Sequence, residues 1–220
     1  MKALYEFPKA SIFGRVLAKS KIYEHAKPSQ KIKNLFIREI EKIIWQYKLS
    51  PTTINVPATK AVKEIQVITL LLKTDEISKG ILQTIDKAIP SPLLFELQCN
   101  DKIKYAAAYK RPNATDKTKW VISEHFASDW IKQDNPKLPL PVVFNMEALY
   151  TVFLTELIPL QLKPNENLEG LTSRFSLLQS KTRELASLTK RMYQENQFNR
   201  QIALNRQLNS LKAEIRALEK

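Results

Sequence analysis

Between Ile32 and Tyr47, apolar residues return every three or four positions: Ile32, Phe36, Ile40, Ile43 and Tyr47, with Leu35, Ile37 and Ile44 widening the stripe. Lys31, Lys33, Arg38, Glu39, Glu41 and Lys42 fill the other side. The spacing predicts an amphipathic helix of about five turns, capped by Ser29 after Pro28. Ser50-Pro51 ends it, because the residue before proline avoids helical angles.

The pattern then changes period. Residues 52–60 read as an extended connection, flanked by Pro51 and containing Pro57. Residues 64–73 are almost continuously β-branched or aliphatic, the signature of a central strand. Thr74-Asp75-Glu76 opens a short helix whose face is Ile77, Ile81, Ile85 and Ala88/Ile89, closed by Pro90. Residues 93–98, 102–109 and 120–123 are three further strands, separated by the Asn100-Asp101 turn and a polar loop from Arg111-Pro112-Asn113. Residues 127–143, interrupted by Pro136, Pro139 and Pro141, are an irregular crossing segment in which Trp130 is an anchor. Asn145 caps a helix with Met146, Leu149, Tyr150, Phe153, Leu154 and Leu157 on one face, stopped by Pro159. This order predicts an α+β fold, a mixed sheet of about four strands covered by helices.

The last fifty residues differ in kind. Leu171, Phe175, Leu178, Thr182 and Leu185 recur by four and three, as do Leu204, Leu208, Leu211, Ile215 and Leu218. That is coiled-coil spacing, broken by the polar stretch 193–201. A long or bent helix is favoured over a helical hairpin, because the break contains neither glycine nor proline. The expected organisation is an N-terminal arm (1–27), an α+β module (28–163) and a long C-terminal helical, coiled-coil-like arm (168–220). The apolar seam of Leu204, Leu208, Leu211, Ile215 and Leu218 is the expected partner-binding surface, taking a second copy of the chain or another protein.

Composition narrows the chemistry. Three glycines among 220 residues leave no phosphate-cradling loop. Cys99, the single cysteine, gives no disulfide framework and no thiolate metal site, and reads as a small core filler. No apolar run approaches a membrane span, and the first residues lack the uninterrupted apolar core of a secretory signal. A cytoplasmic setting with no metal, cofactor or membrane is the expectation. The net charge is +13, and its placement is uneven. Residues 1–50 hold 11 Lys/Arg against 4 Asp/Glu, residues 181–220 hold 9 against 4, and the middle is nearly balanced. Excess cation at the two ends suits a polyanion such as nucleic acid, although a solvated basic surface explains it equally well.

Two sets of residues carry candidate chemistry. Tyr105, Tyr109, Lys110 and Arg111, with Lys117 and Lys119 of the following loop, place aromatics beside cations, as stacking of bases and contact with phosphates require. Lys190, Arg191, Arg200 and Arg206 extend the basic surface along the tail. Packing of one strand face in a core explains the tyrosines as well. The second set is a nuclease reading. Glu64 and Glu96 on strands, with Asp101 and Lys104 nearby, supply the carboxylates and lysine of a metal-dependent, restriction-endonuclease-like site. Here glutamine stands where the lysine of that motif belongs, at Gln66 and Gln98. His25 and His125 each adjoin a glutamate, but sequence neighbours do not point together on a helix or strand, so neither forms a dyad.

Several stretches together resemble a known family. They are Phe13-Gly14-Arg15, Lys21-Ile22-Tyr23-Glu24-His25-Ala26, Trp45-Gln46-Tyr47-Lys48-Leu49 followed by Asn55-Val56-Pro57, and Glu64-Ile65-Gln66-Val67. Ile85-Asp86-Lys87-Ala88-Ile89-Pro90, Phe95-Glu96-Leu97, residues 105–112 and Gln197-Phe198-Asn199-Arg200 complete the set. They resemble a family of bacterial proteins of unknown function whose members are often encoded beside a helicase and a DNA methyltransferase in restriction-type and phage-defence loci. The resemblance spans nearly the whole chain and implies no catalytic residues. It implies a genomic neighbourhood, not a mechanism. Together with the leucine seam and the basic ends, the leading expectation is a non-enzymatic accessory or adaptor subunit of such a complex, docking through the C-terminal helix and adding nucleic-acid-binding surface. The alternatives are the nuclease and a self-assembling coiled-coil scaffold.

Overall fold

A computed structural model describes residues 1, 3–113, 115–116 and 120–219. Its contacts divide the chain into two units, Met1–Pro159 and Leu160–Lys220. In chain order the first unit contains β1 (Leu4–Glu6), β2 (Ile12–Val16), α1 (Lys19–Ala26), α2 (Gln30–Glu39), β3 (Ile40–Leu49) and α3 (Pro51–Ile54). There follow β4 (Ile65–Leu72), α4 (Lys79–Ala88), β5 (Leu93–Cys99), β6 (Lys102–Pro112), β7 (Trp120–Ala127), β8 (Ile131–Lys132), β9 (Lys137–Pro139) and α5 (Met146–Leu157). The second unit contains α6 (Leu168–Gln194) and α7 (Phe198–Glu219).

The fold is α+β, with a seven-stranded mixed sheet in place of the expected four strands. Strand order is β2-β3-β4-β5-β6-β7, with β8 also paired to β6. Among the described strands of this sheet, only β4 and β5 run parallel, and α4 is the crossover that joins them; β1 and β9 form a separate parallel pair. The three extra strands, β2, β3 and β8, come from segments read differently in the sequence. The helix begun at Gln30 stops at Glu39, and residues 40–49 form β3 between β2 and β4. Ile40, Ile43, Ile44, Trp45 and Tyr47 are β-branched or aromatic, and pairing on both sides outweighs their helix-like spacing. Register shifts at Ile40/Lys42 and Trp45/Tyr47 break the alternation that marks a regular strand. Residues 1–27, expected as a loose arm, supply β1, the edge strand β2 and α1.

One sheet face carries Ile43, Ile68, Leu70, Leu93, Phe95, Leu97 and Ala106, closed over by Ile22 of α1, Phe36 of α2 and Ile81, Leu82 and Ile85 of α4. Gly80 belongs to this packing, since a Cβ there would stand 2.6 Å from Ile32 Cδ1 of α2. The other face carries Thr69, Glu96 and Tyr105, which neighbour each other across β4, β5 and β6. Tyr5 of the β1–β9 pair donates its backbone N–H to the Tyr105 hydroxyl, and its ring lies 5.5 Å from that of Phe153 on α5. Cys99 packs at the edge of the first face as expected of a filler.

The second unit is a helical hairpin, not the long or bent helix favoured from the sequence. α6 and α7 lie against each other, and Lys181 pairs with Glu214 at 2.8 Å while Arg174 donates to the Leu218 carbonyl at 2.8 Å. The start of α6 therefore meets the end of α7, an antiparallel arrangement. The turn needs no glycine because side chains build it. Glu195 is extended (φ −81°, ψ 127°), its carboxylate accepts the Gln197 N–H, and the Gln201 amide donates to its carbonyl.

Candidate nucleic-acid interface

The β6 surface nominated from the sequence is largely interior. Tyr105 and Lys110 are 1% and 3% exposed, so neither reaches a solvated base or phosphate. Tyr105 faces Glu96, and Tyr109 is half-buried with its ring stacked on Tyr150. Arg111 is half-buried at the strand end, its guanidinium donating to the Pro112 carbonyl at 3.4 Å. Lys117 and Lys119 lie outside the described residues.

Lys110 is instead part of a buried polar knot. Its ammonium donates to the carbonyls of Asp86 and Ile89 at the C-terminal end of α4 and stands 3.6 Å from the Asp86 carboxylate. The unpaired carbonyls of a helix end, with their partial negative charge, are a natural seat for a cation. Burial holds the Lys110 pKa below its ordinary value, and the Asp86 carboxylate opposes that shift. His125 Nε2 meets the other Asp86 oxygen at 2.5 Å, so one carboxylate holds both the ammonium and the imidazole. At the register shift between Ala108 and Lys110, the Tyr150 hydroxyl donates to the Ala108 carbonyl and accepts the Lys110 N–H. The bulge is thereby satisfied by a helix side chain. Asp86 was missed in the sequence, though it sits four residues after Leu82 on the buried side of α4, where an acid demands a partner.

The residues of the nuclease reading do not converge. Glu64 hydrogen-bonds Gln66, pairs with Lys48 at 2.9 Å, and lies on the Gln66 side of the sheet. Glu96 neighbours Thr69, three residues on from Gln66, and so faces the opposite side. Its carboxylate accepts from the Thr69 and Tyr105 hydroxyls, and burial raises its pKa while those bonds and Lys137 pull the other way. Asp101 is exposed in the β5–β6 turn, at the far end of β5 from Glu64. Lys104 lies over the Trp130 ring at 5.3 Å.

The tail residues fall into two groups. Leu208 and Leu211 are buried, and Leu204, Ile215 and Leu218 are half-buried, so the seam expected to grip a foreign chain is covered within this one. By contrast, Lys190, Arg191, Arg200 and Arg206 are exposed and flank the hairpin turn. Glu195 is the one acid between residues 190 and 206, 3.9 Å from Arg200. Tyr193 and Phe198, on either side of the turn, are 80% and 73% exposed. The tip thus carries four cations and two open aromatic rings, the combination first sought on β6.

The architecture is that of an α+β sheet protein with a helical-hairpin appendage, and among the described residues no His/Cys/Asp/Glu group is placed to hold a metal ion and no helix is long and apolar enough to cross a membrane. The chain belongs to the family described as a domain of unknown function, DUF4391, whose model matches residues 6–215. No curated protein and no solved structure matches it.

Proposed function

We propose that this protein is a non-enzymatic, nucleic-acid-binding accessory subunit of a DNA-processing complex, of the helicase- and methyltransferase-associated kind that the sequence resemblance implies. The observation that supports it is the tip of the helical hairpin. Lys190, Arg191, Arg200 and Arg206 stand exposed there against a single carboxylate, with Tyr193 and Phe198 open to solvent between them. Clustered cations bind a duplex through its phosphates, without sequence preference, by displacing condensed counterions. The hairpin presents them on two helices held by their own apolar seam and by the Arg174 and Lys181 bonds.

The experiment is fluorescence anisotropy of a labelled duplex with the full chain. Lys190→Glu combined with Arg191→Glu is expected to weaken binding at least tenfold at low salt, with the helical content unchanged. Equal affinity for the variant and the wild type overturns the reading.

A further inference from the structure

A groove crosses the end of the first sheet face, beyond the last turn of α4. One half, about 440 Å³, is lined by Trp120, Pro112, Lys60 and Lys63. The other half, about 340 Å³, is lined by Trp45, Leu17, Lys21 and His25. Glu64, Pro90 and Ser91 line both halves and form the saddle between them. The two tryptophans sit on β3 and β7, four ladder steps apart, which is about 19 Å across the sheet.

We propose that this groove binds unpaired nucleic acid, with bases stacked on Trp120 and Trp45 and the backbone held by Lys60, Lys63 and Lys21. The proposal rests on the nucleic-acid reading above but uses a different surface. Both indoles are held in place before any ligand arrives. The Lys110 ammonium stands 5.6 Å from the Trp120 ring centre and is itself buried, outside the groove lining. Trp45 donates its indole N–H to Gln66 at 2.8 Å, and its ring lies 4.5 Å from that of Phe13. Rigid aromatic platforms lose little entropy when a base stacks on them. Lys60 and Lys63 are exposed at one rim, and Lys21, which also pairs with Glu24 at 3.0 Å, is exposed at the other.

Stacking on an indole requires a base whose faces are free, which selects a single strand over a duplex. The saddle adds a chemical preference. Glu64 Oε1 already accepts from Gln66 and Ser91, while Oε2 pairs with Lys48 and keeps a second lone pair as an acceptor at the centre of the groove. A phosphate is repelled there, whereas an exocyclic amine is accepted. The path therefore runs with phosphates at the rims and base edges over Glu64. Cytosine, adenine and guanine, which carry an exocyclic amine, are favoured over thymine.

The test titrates the full chain with short labelled oligo-dC and oligo-dT strands and with a duplex, following anisotropy and tryptophan fluorescence. Oligo-dC is expected to quench the tryptophan emission and to bind more tightly than oligo-dT. Trp120→Ala is expected to weaken oligo-dC binding about 5- to 150-fold, the range for loss of one stacked base, while duplex binding stays within twofold. Trp120→Phe should recover most of the loss. Lys60→Glu with Lys63→Glu, both on exposed positions, gives the same selective loss without touching an aromatic ring. Unchanged oligo-dC affinity in Trp120→Ala or in the lysine pair overturns the groove, whatever the duplex shows. Duplex binding that survives the hairpin reversals, with the groove effects intact, overturns the hairpin reading and leaves the groove standing.

Discussion

His125 Nε2 lies 2.5 Å from the Asp86 carboxylate, and this bond ties β7 to the last turn of α4 while Lys110 ties β6 to the same turn. Asp86, Lys110 and the His125 side chain are each at most 4% exposed. Removing one partner of such a group leaves the others buried and uncompensated, at a cost of about 3–5 kcal/mol. Asp86→Asn is expected to destabilise the first unit by that amount in urea unfolding, more than its single lost carboxylate would suggest at a surface. A loss under about 1 kcal/mol would show that the knot contributes little.

Tyr150 is a second anchor, and its hydroxyl is the part that matters. Tyr150→Phe keeps the ring but leaves the Ala108 carbonyl and Lys110 N–H without the bridging hydroxyl inside the protein. The expected loss is about 1–3 kcal/mol. Amide exchange of Lys110 should accelerate selectively, whereas a uniform change across the sheet would point to altered packing instead.

Glu96 gives the first unit a pH dependence. Burial raises its pKa above the ordinary 4.5 despite the Thr69 and Tyr105 hydroxyls and Lys137. A carboxyl whose pKa is raised in the folded state adds stability below its unfolded pKa, and that stability is lost as pH rises through the folded value. Glu96→Gln cannot ionise. It should be at least as stable as wild type at neutral pH and should flatten the loss of stability with rising pH. Urea midpoints measured between about pH 4 and 8 test the slope, and an unchanged slope would mean that Glu96 is not its source.

In the hairpin unit the sign reverses. Arg174 donates two bonds to the Glu166 carboxylate and holds its pKa at about 2, against an ordinary 4.5. That stability is present above pH 4.5 and disappears as pH falls through about 2. Arg174 also holds the carbonyls of Gln161 and Leu218, joining the approach to α6 with the end of α7. Arg174→Ala should weaken the acid dependence, leaving the part due to Lys163, and speed amide exchange in the last turn of α7. Wild-type exchange there would contradict the role assigned to Arg174.

The middle of the chain was legible because its signals agree. Residues 65–72 are apolar enough to be a central strand, α4 and α5 have one-sided stripes, and Asn145 caps α5 through the Ala148 N–H as its position suggests. The α2–β3 boundary was not legible, since Ile40, Ile43 and Tyr47 suit a helix face and a bulged strand alike, and only pairing with β2 and β4 decides between them. The hairpin turn was hidden because Glu195 and Gln201 replace the glycine that normally marks such a turn. Of the candidate contact residues, the cations at 190–206 are exposed, as a contact surface requires, whereas the β6 basic-aromatic run signalled a core strand with a buried lysine.

The most direct test of the hairpin as a nucleic-acid contact is the salt dependence of duplex binding from about 50 to 200 mM. Each phosphate contact contributes about −0.9 to the slope of log affinity against log salt. Lys190→Gln, Arg191→Gln and Arg206→Gln together should therefore make the slope shallower by about 3 while the fold is retained. A slope identical to wild type, or no salt-dependent binding by the wild type at all, would contradict the account.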